Sequence, residues 1–73
     1  MSERPIPEAA KLGKKLRAYR HSRGITQEQL AERVGVSYEW IGRIERGVYF
    51  PNWLLLIKIA KVLHVKVQDL IPF

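Results

Sequence analysis

Residues 26–47, "TQEQLAERVGVSYEWIGRIERG", constrain the fold more than any other part of the chain. Thr26 has the chemistry of a helix N-cap, and Gln29 three residues on completes a capping box, so a helix is expected from Gln27 to Val34. Its buried face is Leu30, Ala31 and Val34. Gly35 follows at once, Val36 is apolar, and Ser37 is a second N-cap residue. A further helix is expected from Tyr38 to about Arg46, with Ile41 and Ile44 facing inward and Gly47 ending it.

Two short helices joined by so tight a turn form a helix-turn-helix only when particular sites hold residues of the right size. Leu30, Val34, Val36, Ile41 and Ile44 are apolar where the helices and the turn meet the core. Ala31 is small where the helices cross, and Gly35 sits where the chain reverses. All seven demands are met over about 20 residues, which chance matching of a motif rarely does.

The flanking segments supply the rest of an all-α domain. After Pro7, Leu12, Leu16 and Tyr19 recur at helical spacing among Lys11, Lys14, Lys15, Arg17, Arg20, His21 and Arg23, and Gly24 supplies a positive-φ stop. Asn52 is a third N-cap, opening a helix to His64 with Trp53, Leu56, Ile59, Ala60 and Leu63 on one face. A last short helix is expected from Val67 to Ile71, with Phe73 folded back on it. The division is a flexible N-terminus at residues 1–7 and a single domain at 8–73.

With 73 residues and no cysteine, stability must come from packing rather than from disulfides or thiolate metal sites, and 47% hydrophobic content suffices for one helical core. The net charge of +6 favours a polyanionic partner, nucleic acid or an acidic surface. No secretory signal is visible, and "WLLLIKIAKVL", interrupted by Lys58 and Lys61, is too short to span a bilayer, so no membrane partner is expected and the location should be cytoplasmic.

The stretch "LRAYRHSRGITQEQLAERVGVSYEWIGRIERGVYFPNWLLLIKIAKVLHV" resembles the Cro/C1-type (XRE family) helix-turn-helix domain of phage repressors and restriction-modification controller proteins. The resemblance runs from about Leu12 to Ile71, and "GITQEQLAERVGVS" and "IGRIERG" are its most specific parts. It implies a compact five-helix, lambda-repressor-like domain that binds double-stranded operator DNA as a symmetric dimer, with the third helix in the major groove. Tyr38, Glu39 and Arg43 match the base-reading positions. Arg43 suits the O6 and N7 of guanine, Glu39 the amino group of cytosine, and Tyr38 a hydrogen bond or a thymine methyl.

Gln27, at a helix N-terminus where backbone donors favour anions, is the strongest candidate for a DNA backbone contact, joined by Ser37, Trp40 and Arg46. The loop "GVYFPN" departs from the family, which often carries basic residues there. Arg20 and Glu45 match positions that form a partly buried structural ion pair between the first and third helices. Gly42 has two readings: a close approach of DNA or backbone on the outer face, or a tolerated small residue.

One amphipathic stripe on the fourth helix leaves Leu54, Leu55 and Val62 without a place in the core. With Tyr49, Phe50 and either Ile71 or Phe73 they suggest a homodimer interface, against the plainer reading that a small domain exposes some leucines.

The sequence reading is therefore a sequence-specific transcriptional regulator, a repressor or small controller protein binding a palindromic operator. The competing reading is an antitoxin or regulator antagonist acting mainly through protein–protein contacts. An enzyme is not expected: there is no nucleophile motif, phosphate loop or metal triad, so no catalytic residue, metal, cofactor or small-molecule ligand is assigned. Glu28 and Glu32 are candidates for an RNA polymerase contact in an activator, with plain solubility as the preferred account.

Overall fold

The computed structural model describes residues 4–71, and its order is α1 Pro7–Ser22, α2 Gln27–Val34, α3 Tyr38–Glu45, α4 Trp53–Leu63 and α5 Val67–Leu70. Among the described residues there is no strand, and no helix is long and apolar enough to cross a membrane. Helix α1 packs on α3 and α5, α2 on α3 and α4, and α4 on α5.

Local chemistry accounts for most boundaries. Thr26 Oγ1 accepts from the Gln29 amide at 3.0 Å while Gln29 Oε1 accepts from the Thr26 amide at 2.9 Å, the reciprocal pair that opens α2. Helix α2 closes on Gly35 in the left-handed conformation, and the amides of Gly35 and Val36 both donate to the Ala31 carbonyl. Asn52 Oδ1 accepts from the Leu55 amide at 2.9 Å to open α4. Ser37 occupies the N-cap of α3, as its position predicts, but its side chain makes no capping hydrogen bond.

The start of α1 is tied to the end of α3: the Ile6 amide donates to the Gly47 carbonyl at 2.8 Å. Pro7 follows as the first helical residue, where its missing N–H costs nothing. The expected division after residue 7 thus falls one residue inside the helix, while residues 1–3 and the expected packing of Phe73 lie outside the described residues.

Among the described residues, thirteen apolar side chains from the five helices form the core, including Leu12, Leu16, Leu30, Ile41, Ile44, Ile59, Leu63 and Leu70. Burial of one such side chain contributes about 1.5–3 kcal/mol. Two close approaches seat α3 on α1. A Cβ added to Gly13 would stand 2.5 Å from the carbonyl oxygens of both Ile44 and Glu45. One added to Gly47, at φ +79°, would stand 2.5 Å from the Ala10 Cα. Arg23 supplies a further tie, its Nε donating to the Leu63 carbonyl at 2.8 Å and so satisfying the C-terminal end of α4 with a cation.

Helix α4 requires a correction. Trp53, expected inside, is 62% exposed, and Leu55, expected at a dimer interface, is 8% exposed and belongs to the core with Leu56, Ile59, Ala60 and Leu63. Trp53 lies at nearly the same helical angle as Ala60 but about 10 Å further towards the N-terminus. At the first turn of α4, on the edge of the buried face, Trp53 is left to solvent. Leu54 is also 62% exposed, whereas Tyr49, Phe50 and Val62 are half-buried.

Candidate nucleic-acid interface

Helix α3 buries Ile41, Gly42 and Ile44 and turns its other side outward. Tyr38, 53% exposed, and the exposed Glu39, Arg43 and Arg46 line one cleft of about 260 Å³ together with Gln27 from the start of α2. Five of the residues singled out for DNA contact therefore share one surface. Ser37 is exposed just ahead of them, at the N-terminus of α3.

The floor of the cleft explains Gly42. It is buried rather than outward-facing: a Cβ there would lie 3.1 Å from Arg46 Nη1 and 4.0 Å from Gln27 Oε1. No backbone comes close to it, so the nearest groups are the ends of the protein's own side chains, which agrees with a small residue tolerated at this place.

Behind the cleft, three helices converge on one carboxylate. Arg20 of α1 donates through Nε to Glu45 Oε2 at 2.6 Å and through Nη2 to Oε1 at 3.0 Å, while its Nη1 donates to the Ile25 carbonyl at 2.9 Å. Gln27 of α2 donates through Nε2 to the same Glu45 Oε1 at 3.0 Å. The Arg20 and Glu45 side chains are 8% and 4% exposed, so this is a largely desolvated, fully hydrogen-bonded pair. It brings together the expected ion pair and adds Gln27, which sequence reasoning treated separately. A forked guanidinium against a planar carboxylate fixes direction as well as distance. The network thereby sets α3 relative to both α1 and the N-terminus of α2.

Trp40 stands outside the cleft. Its ring packs against that of Tyr49 with centroids 4.2 Å apart at 46°, and Arg43 Cζ lies 5.6 Å from the centre of the Trp40 ring. One side of the half-buried Trp40 ring is thus packed against the loop after α3. Glu28 and Glu32 are exposed on α2, and the lysines Lys11, Lys14 and Lys15 are exposed along α1.

Among the described residues, no group of three or more His, Cys, Asp or Glu side chains could hold a metal ion. No buried side-chain polar atom among them lacks a hydrogen-bond partner. The chemistry this surface offers is recognition: a forked cation, a carboxylate acceptor, a phenol and an amide on a rigid helical platform.

Residues 11–72 match the family described as "Helix-turn-helix domain". An uncharacterized HTH-type transcriptional regulator of Archaeoglobus fulgidus is 42% identical over 59 residues, covering 81% of this chain and 84% of the relative. The restriction-modification controller protein C.AhdI from Aeromonas hydrophila has a similar structure, with a TM-score of 0.85 and 29% identity over 89% of this chain and 98% of that one. The P22 c2 repressor protein, solved in complex with a synthetic operator, gives a TM-score of 0.80 and 33% identity over 84% of this chain and 92% of that one.

Proposed function

Starting from the helix-turn-helix domain family of transcriptional regulators, to which this chain belongs, we propose that it is a sequence-specific DNA-binding regulator that occupies a palindromic operator as a homodimer. The observation that carries the reading is the shared cleft of Gln27, Tyr38, Glu39, Arg43 and Arg46, backed by the Arg20–Glu45–Gln27 network. Helix α3 enters the major groove. Arg43, Glu39 and Tyr38 read base edges, and Gln27, Ser37 and Arg46 hold the DNA backbone and so fix the register. Each good bidentate base contact discriminates by about 1–3 kcal/mol. An operator that overlaps a promoter makes such a regulator a repressor or a small controller protein, and the cytoplasm is where that DNA is met.

A single α3 reads too few base pairs for a unique site, which a symmetric pair corrects. The domain's longest dimension is 32 Å, so two copies side by side suit recognition helices about 34 Å apart, one helical turn of DNA. The dimer contact is centred on the exposed Leu54 and Trp53, with Tyr49 and Phe50 beside them and Val62 at the rim beyond Lys58. Leu55 has no part in it, being committed to its own core.

Selection of binding sites from random duplex DNA at fixed salt tests the reading. A two-fold symmetric motif with half-sites one helical turn apart is expected. Weak, salt-sensitive binding without an enriched motif would favour the protein-binding alternative, an antitoxin or regulator antagonist working through the apolar start of α4.

A further inference from the structure

Trp40 and Arg43 are separated by one helical turn of α3, the spacing at which side chains on a helix meet. The guanidinium lies 5.6 Å from the Trp40 ring centre, within the range where the negative face of an indole attracts a cation. The ring is itself half-buried and braced from the loop after α3 by Tyr49 at 4.2 Å. An arginine loses much rotamer freedom when it binds, and a planar group resting on a fixed aromatic face loses less.

We propose that Trp40, held by Tyr49, is a positioning residue for base recognition: its ring orients the Arg43 guanidinium so that the fork meets one base pair of each half-site. This rests on the function proposed above and goes beyond it, because it assigns sequence discrimination to two aromatic residues that touch no base. It replaces the expectation that Trp40 contacts the DNA backbone. The two roles have different signatures: a backbone contact supports binding to every sequence equally, whereas a positioning residue changes preference at the base pair read by Arg43 alone.

The test compares the wild type with Trp40→Leu, Trp40→Phe and Tyr49→Leu by binding-site selection and by affinity for random duplex at one salt concentration. Arg43→Lys identifies the base pair concerned, since it keeps the charge and loses the fork. Trp40→Leu should reduce discrimination at that base pair by about two- to five-fold, the strength of an exposed cation–π contact, and leave random-duplex affinity unchanged. Trp40→Phe, which keeps an aromatic face, should restore most of the preference. If Trp40→Leu fails to fold, Tyr49→Leu carries the test, because it removes the brace and leaves the ring. Tyr49 also borders the proposed dimer contact, so this variant is scored only by the preference among bases at the Arg43 position, because a weakened dimer lowers affinity for all sequences alike.

Proton NMR of the DNA-free protein gives an independent readout. The Arg43 side-chain protons should show an upfield ring-current shift that disappears in Trp40→Leu. A uniform loss of affinity across all sequences would return Trp40 to the backbone role and overturn the proposal. Unchanged or sharper discrimination in the Trp40 and Tyr49 variants would overturn it too, as would the absence of a ring-current shift. A wild type that selects no motif would overturn the function itself, an outcome distinct from a motif that these variants leave intact.

Discussion

Gln27 donates through Nε2 to Glu45 Oε1 at 3.0 Å, tying the first residue of α2 to the last residue of α3 across 18 positions of sequence. The same carboxylate is gripped from α1 by Arg20. A single acidic side chain therefore links α3 to both of the other helices.

Removing one partner of that pair should be far more harmful than removing both. Glu45→Ala leaves the Arg20 guanidinium buried and unpaired and should cost about 3–5 kcal/mol in urea unfolding. The double variant Arg20→Met, Glu45→Leu should lose clearly less than Glu45→Ala alone. Simple additivity in that cycle would mean that the two side chains do not depend on each other.

The glycines of the two close approaches should tolerate no added methyl group, and Gly42 should. Gly13→Ala drives a Cβ into the backbone of α3 and should lower stability by about 1–3 kcal/mol or more. Gly42→Ala meets only the far end of Arg46, which can swing aside, and gains helix propensity of up to about 1 kcal/mol. Thermal unfolding of the two variants side by side checks the ordering, and equal losses would contradict it.

Adjacent leucines on α4 should behave oppositely. Leu54→Glu should keep its circular dichroism spectrum and shift sedimentation towards monomer, whereas Leu55→Glu places a charge in the core and should unfold the domain. A folded dimer of Leu54→Glu would locate the contact between copies elsewhere.

On DNA, Arg43→Ala should relax preference at one base pair of each half-site, a loss of about 1–3 kcal/mol against the best sequence. Gln27→Ala should weaken binding nearly equally for all sequences. Titrations with the selected site and with random duplex separate the two, and equal losses on both DNAs for Arg43→Ala would remove it from the base readers.

The helices were legible where the signal is local. Thr26 with Gln29, Gly35 and Asn52 each act within a few residues, and each stands where the sequence places it. The Arg20–Glu45 pair came from family resemblance and not from periodicity, since a bond across 25 positions leaves no local trace. The contacts missed are of that long-range kind: Gln27 with Glu45, Gly13 beneath the end of α3, and Arg23 with Leu63, 40 positions away. Trp53 and Leu55 trade places because a stripe drawn through Trp53 sits too far round the helix, whereas Leu55 lies only about 40° from the buried Ile59. Nor does the sequence reveal that Tyr49, nine positions on, folds back against the Trp40 ring.

The hydrogen bond from the Ile6 amide to the Gly47 carbonyl gives the domain a definite mechanical layout. Tension applied to the chain ahead of Pro7 reaches this bond before it peels α1 from the body. The first contact to yield is the one that holds Gly47, two residues past the end of α3. A pull on the N-terminal side is thus felt at the end of α3 before α1 and α3 come apart.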